Sequence, residues 1–190
     1  GQGYVGLPLA MAIAEAGHEV IGFDLNAELA NHLNLGSSHI EDVSDSTLKG
    51  LISESKYKAS SNPSDIAEAD IAIIAVPTPL NENREPDVSF VISASELLGK
   101  NLTKSTLIIN ESTSYPGTLR DVIVKHVEEN SQPGIKHLYA ISPERVDPGN
   151  PNWKIKNTPR LFSGLTPEAG TKTKDFYSTF CDQIIELSSP

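Results

Sequence analysis

The chain has 190 residues, a formal net charge of −10 and a pI near 4.9, a balance that argues against a broadly basic surface for nucleic acid or anionic membrane. Hydrophobic residues make up 38% of it; with the 13 glycines added, the apolar share nears the roughly 45–50% of ordinary globular chains, enough for a core that needs no metal or disulfide staple. The longest wholly apolar run, 71–77, is too short to span a bilayer, and a single cysteine, Cys181, leaves no intramolecular disulfide framework and no Cys-rich metal site.

The first six residues, Gly1-Gln2-Gly3-Tyr4-Val5-Gly6, read G-x-G-x-x-G. Such a turn leaves a β-strand, cradles phosphate with backbone N–H groups and enters a helix. The expected leading strand, some six residues long, lies upstream of Gly1, so the chain is expected to begin partway into a larger protein. Residues 5–16 carry a helical pattern (Leu9, Ala10, Ile13, Ala14) that stops at Gly17, a good C-terminal cap. "HEVIGFD" is a short strand ending in Asp24, and residues 27–35 and 47–55 are helical. "DIAIIAVP" is a β-branched apolar run suited to a strand buried on both faces of a parallel sheet. After it come a helix over 87–98, the buried strand "STLIINEST", an amphipathic helix over 116–129 with Pro116 at its start, and the strand "HLYAISP". The stretch from Pro143 to Pro159 is the longest irregular segment and a candidate functional loop. "RLFSG", a helix beginning at Thr166-Pro167-Glu168 and a last strand "QIIEL" complete the chain. Phe176, Tyr177, Phe180, Cys181 and Ile184 share one helical face, which implies a buried, unreactive thiol.

This alternation predicts an α/β fold: one domain over 1–190, Rossmann-type and doubly wound, with a mostly parallel sheet, helices on both faces and its first strand missing at the N-terminus. Small residues after Gly6 permit close packing of the first helix on the sheet. Asp24 lies eighteen residues beyond Gly6, near the spacing of the acid that binds an adenosine ribose. A carboxylate about 4 Å from a 2′-phosphate is repelled by roughly 4 kcal/mol per unit charge at an effective dielectric of 20. With no Arg or Lys in the next several residues, NAD is favoured over NADP. FAD-binding and methyltransferase sheets can show similar glycines and acids, so the fingerprint alone indicates a nucleotide site and no particular reaction.

"GQGYVGLPLA", "FDLN", "AVPTPL", "ESTSYPGTLRDVI" and "SPERVDPGN", read in order, resemble the nucleotide-sugar 6-dehydrogenases of the UDP-glucose/GDP-mannose dehydrogenase family. The resemblance implies oxidation of a sugar C6 alcohol to a carboxylate with two NAD, through an aldehyde-level intermediate trapped on a cysteine and then a thioester. It covers only the family's first domain. The family's nucleophilic cysteine, lysine and asparagine fall beyond Pro190, together with a helical dimerisation segment and a second α/β domain, and Cys181 does not match that cysteine.

Residue by residue, the resemblance places Gly1, Gly3, Val5 and Gly6 in the pyrophosphate loop, Asp24 on the ribose and Thr78 at a strand end facing the cofactor. Thr113 matches a threonine near the nicotinamide, thought to hold a water or a developing oxyanion. Glu144 matches a glutamate that activates water for thioester hydrolysis, and Arg145 is a candidate for a substrate phosphate or carboxylate. The plainer alternatives are a turn hydroxyl for Thr78, a strand-end cap for Thr113, and for Glu144 a salt bridge to Arg145 or a loop lysine.

Two departures stand out. UDP-glucose enzymes typically read "PEFLREG" with a second glutamate where this chain has Pro148, and "SPERVDPGN" looks more like the enzymes acting on UDP-N-acetylglucosamine or UDP-N-acetylmannosamine. A Lys or Arg frequent five residues past the ribose acid is here Leu29. The expected function is therefore the NAD-binding part of a UDP-N-acetylhexosamine 6-dehydrogenase. The alternatives are the UDP-glucose enzyme and an NAD-binding module without turnover. A UDP-sugar substrate, a homo-oligomer at full length and a cytoplasmic setting follow from the resemblance, with no nucleic-acid partner, no membrane insertion and no metal.

Overall fold

The structure, a computed structural model, describes residues 1–145, 150 and 152–190. The chain enters directly through the glycine turn into α1 (Gly6–Glu15), which ends at Gly17 in a left-handed conformation (φ 98°). β1 (Val20–Phe23), α2 (Ala27–Asn34), α3 (Asp45–Ser53) and β2 (Tyr57–Ser60) follow, then a 3₁₀ turn (Pro63–Ile66) and β3 (Ile71–Ile74). Next come α4 (Ser89–Asn101), β4 (Leu107–Asn110) and a π-helical turn (Leu119–Val124) running into α5 (Lys125–Glu128). β5 (Leu138–Ile141), β6 (Arg160–Gly164), α6 (Pro167–Tyr177) and β7 (Ile184–Glu186) close the chain. Helices α2, α3 and α6 start on polar caps: the Asn26 side chain accepts from the N–H groups of Glu28 and Leu29 at α2, Ser44 from Thr47 at α3, and Thr166 from Ala169 at α6, with Pro167 in its first turn.

The strands form two sheets, β1-β2 and β3-β4-β5-β6-β7. All pairs are parallel except β5-β6, which is antiparallel. β4 is buried along its whole length, and its side chains alternate between two cores as the two-residue period of a strand demands. Leu107 and Ile109 pack with Leu9 and Ile13 of α1 and Phe176 and Tyr177 of α6. Ile108 packs with Val91 and Leu98 of α4 and Ile123 and Val127 of the α5 region. Helices therefore cover both faces, as expected from the alternation.

β1 and β3 are each terminal in their sheets, and a cleft of about 960 Å³ runs between them, walled by Val20 and Phe23 on one side and Ile71 and Ile73 on the other and floored by Ala10 and Ile13 of α1. The strands thus pair in two sheets where the sequence led to one, with this cleft between them.

One strand was not expected, and two expectations need correction. β2 went unread because its alternation is broken: Lys58 is exposed between the buried Tyr57 and Ala59, but Ser60, next to Ala59, is also buried. The helix expected from Pro116 begins only at Leu119, and as a π turn. Finally, α6 ends at Tyr177, so Phe180 and Cys181 follow the helix instead of sharing its face, and Ile184 lies in β7. It still packs in one cluster with Phe176, Tyr177, Phe180 and the buried Cys181, because the chain turns back after Tyr177. Burial pushes the Cys181 thiol above its usual range despite the nearby Arg160, the setting of an unreactive sulfur.

Candidate active-site rim

Asp24, Thr78, Thr113 and Glu144 follow the carboxyl ends of β1, β3, β4 and β5; hydrogen bonds tie the glycine turn to β1 and β2, and a second set joins the loops after β3, β4 and β5 into a rim. Gly1 lies against the loop after β3: a Cβ added there would sit 2.4 Å from the Ala75 carbonyl. Gly6 folds back on Gly1, where a Cβ would meet the Gly1 carbonyl at 1.8 Å. Both positions exclude any side chain. At Gly3 a Cβ would meet nothing within 4 Å and φ is not positive. Neither packing nor backbone conformation calls for glycine there, so the exposed backbone is open to the close approach of a diphosphate. Val5 precedes α1 with no side-chain cap; in the first turn the Leu7 N–H donates to the Gly3 carbonyl at 3.0 Å and Pro8 has no N–H, so the Gly6 N–H is the first-turn donor left for an anion.

Asp24 stands one residue past β1. Its Oδ2 accepts from the Gln2 N–H at 2.8 Å and its Oδ1 from the Asn26 N–H at 2.9 Å, which fixes the carboxylate beside the glycine turn with lone pairs to spare for ribose hydroxyls. Gln2, an unconstrained position in the fingerprint, proves to be a buried strut. Its Nε2 donates to the Gly1 carbonyl at 3.0 Å, and its Oε1 accepts from Tyr57 Oη of β2 at 2.8 Å. The turn is therefore braced by β1 and β2. Leu29, in α2, is half-buried and packs against the core under that sheet.

Thr78 is half-buried in the loop after β3, just before the Leu80–Pro86 bridge. The loop after β4 is locked to it through Ser112, whose Oγ accepts from the Val76 N–H and donates to the Val76 carbonyl, both at 2.9 Å. That bond holds Thr113, which is exposed, on the same rim. The Glu144 N–H donates to the Glu111 carbonyl at 3.2 Å, so the end of β5 is tied in as well. The Arg145 side chain turns to the Pro159 carbonyl at 3.4 Å, whereas its backbone N–H donates to Glu144 Oε1 at 2.7 Å. Pro148, and with it part of "SPERVDPGN", lies outside the described residues.

Glu144 does form an ion pair, but with Arg160 of β6: Nη2 to Oε2 is 3.1 Å. Arg160 Nη1 also holds Oε2 of the fully buried Glu111 at 2.8 Å, and Tyr177 Oη donates to Glu111 Oε1. Burial pushes the Glu111 carboxyl up to about 8, against the pull of Arg160 and with the Glu144 charge adding to the rise. Burial likewise pushes the Tyr177 hydroxyl well above its usual range. In the sequence Glu111 and Arg160 received no site role, and Tyr177 was placed only on the buried face of the last helix. The one available signal was a carboxylate just past a buried strand that opens on an apolar run, "LIINE", and such a carboxylate needs a buried partner.

The Glu111 shift has a pH signature. Between about pH 4.5 and 8 the folded chain keeps a proton that the unfolded chain has lost, so stability falls as pH rises through this window. In denaturant titrations at pH 5.5 and 8.0 the parent chain should lose stability between the two, and Glu111→Gln should flatten that loss. An equal drop in the variant would remove Glu111 as its source.

Residues 1–181 match the model of the UDP-glucose/GDP-mannose dehydrogenase family, NAD binding domain. The chain belongs to this family. As its NAD-binding domain, it is 35% identical over 181 residues to Protein CapL of Staphylococcus aureus, covering 94% of this chain and 42% of that protein. It is 33% identical to the UDP-N-acetyl-D-glucosamine 6-dehydrogenase of Pseudomonas aeruginosa, with 93% and 42% covered. Among solved structures, a UDP-D-ManNAc dehydrogenase from Pyrococcus horikoshii superposes with a TM-score of 0.90 at 29% identity, covering all of this chain and 46% of that one. The UDP-N-acetyl-mannosamine dehydrogenase Cap5O of S. aureus gives 0.86 at 33%, with 98% and 46% covered. The chain thus spans less than half the length of these relatives. Among the described residues no helix is long and apolar enough to cross a membrane, and no group of His, Cys, Asp and Glu is placed to hold a metal ion.

Proposed function

We propose that this chain is the NAD-binding part of a UDP-N-acetylhexosamine 6-dehydrogenase. The observation that carries the reading is that the glycine turn, hydrogen-bonded to Asp24, lies against the loop after β3, while hydrogen bonds join that loop to those bearing Thr113 and Glu144. The substrate class comes from the names of the relatives, which act on UDP-N-acetylglucosamine and UDP-N-acetylmannosamine. Bound NAD supplies the hydride acceptor. Gly1, Gly3, Val5 and Gly6 would hold its diphosphate, Asp24 its adenosine ribose, and Thr78 would line the cofactor side of the loop after β3.

In this reading the exposed Thr113 hydroxyl orients a water or a developing oxyanion over the reacting carbon. Glu144 takes a proton from the water that hydrolyses the thioester, and Arg145 faces the substrate. The nucleophile, most uridine contacts and the homo-oligomer interface belong to the remaining half of the family's length, and the setting is cytoplasmic. Calorimetry should then detect NAD binding to the 190-residue chain, which should reduce no NAD with any UDP-sugar. The full-length protein should oxidise UDP-N-acetylglucosamine or UDP-N-acetylmannosamine in preference to UDP-glucose. A strong preference for UDP-glucose overturns the substrate class, and turnover by the isolated chain overturns the division of labour.

A further inference from the structure

Arg160 opens β6 with its side chain only 4% exposed, so it is shielded from any ligand on the rim. Its planar fork is nevertheless spent on two carboxylates of very different position. Nη1 holds Glu111 Oε2 at 2.8 Å in the interior, where the Glu111 side chain is fully buried. Nη2 holds Glu144 Oε2 at 3.1 Å at the rim, where that side chain is 11% exposed. The guanidinium lies 4.9 Å from the centre of the Tyr177 ring, and Tyr177 Oη closes the array on Glu111 Oε1. The ionisable groups facing Arg160 are thus Glu111 past β4, Glu144 past β5, Tyr177 at the end of α6 and Cys181 after the turn that follows it.

A glutamate on an open loop samples several rotamers, and holding one costs side-chain entropy. Here each Glu144 oxygen has a fixed donor, Arg160 Nη2 on Oε2 and the Arg145 N–H on Oε1. Of the two, only Arg160 is itself locked into the core. An arginine presents its donors in a rigid fork, which a lysine cannot reproduce. We propose that Arg160, anchored by Glu111 and Tyr177, is the positioning residue of the Glu144 carboxylate, carrying the fixed geometry of the core to the rim. The consequence for catalysis rests on the reading of Glu144 as the group that activates water.

The test uses Arg160→Lys, which keeps a buried cation but has no fork, alongside Arg160→Met. In the 190-residue chain the clamp is read at the Arg145 amide by NMR. Arg160→Lys should shift that resonance upfield and speed its hydrogen exchange by about tenfold as the Glu144 oxygen departs. Unchanged Arg145 signals in a folded variant overturn the proposal, whatever Glu144 does chemically.

In the full-length enzyme Arg160→Lys should lower kcat by roughly 10- to 100-fold, the order expected of a misplaced catalytic group. KM for NAD and for the sugar nucleotide should stay within about twofold. In a Glu144→Gln background it should have no further effect; losses that multiply place Arg160's action elsewhere and overturn the clamp. If Glu144→Gln leaves kcat intact while the Arg145 amide still responds to Arg160→Lys, the reading of Glu144 falls and the clamp stands.

Discussion

Replacing Asp24 by alanine should weaken NAD binding by about 10- to 100-fold, the order of a lost hydrogen-bonded carboxylate, while leaving NADP affinity unchanged or improved. The sign follows from charge. Asp24 is held beside the glycine turn by the Gln2 and Asn26 N–H groups, so its negative charge cannot swing away from an incoming 2′-phosphate. At about 4 Å and an effective dielectric of 20 the repulsion is roughly 4 kcal/mol per unit charge, enough for a preference for NAD of at least about 100-fold. Calorimetry with both cofactors measures the gap directly.

Asp24→Asn separates the electrostatic part from the structural one, because its Oδ1 can still accept one of the two backbone bonds. In that variant NADP should gain more than NAD loses, and raising the ionic strength should alter the gap less than in the parent chain. A gap unchanged in both variants would remove Asp24 from cofactor choice.

The second large effect concerns the cleft between β1 and β3. Appending six alternating Val/Ile-rich residues directly ahead of Gly1 should raise the melting temperature of the chain by about 4–12 °C. At roughly 3.3 Å per residue such a segment reaches about 20 Å, longer than either four-residue wall, β1 or β3. It would find backbone partners on both sides, and its side chains would cover Ile71, Ile73, Val20 and Phe23. Burying each aliphatic side chain contributes about 1.5–3 kcal/mol, set against about 1–2 kcal/mol per residue for ordering the backbone. The strand hydrogen bonds and the newly covered walls tip the balance by an expected 2–3 kcal/mol, and each kcal/mol moves the midpoint of a chain this size by about 2–4 °C. A Gly/Ser segment of equal length is the control. Equal melting temperatures for the two would mean that the cleft does not accept a strand.

The sequence by itself determined the local chemistry. The strand–helix alternation, the glycine turn, the helix stop at Gly17 and the acid at the end of β1 are all written in short windows, because each depends on the period or conformational freedom of a few neighbouring residues. Their positions in the structure follow suit. β2 escaped the reading because the buried pair Ala59-Ser60 breaks the alternation that Lys58 begins, and the late start of the helix before α5 escaped because Pro116 reads as a helix opener on its own.

Tertiary structure alone decided the surroundings of Glu144. Its sequence neighbour Arg145 was an available partner, yet the ion pair goes to Arg160, sixteen positions away, which also reaches Glu111 across 49 positions, while Tyr177 meets Glu111 across 66. A buried carboxylate must find a cation and donors wherever the folded chain places them. That need is legible at Glu111, but the identity of the partner depends on β4, β5, β6 and α6 meeting in space, a fact no local window contains.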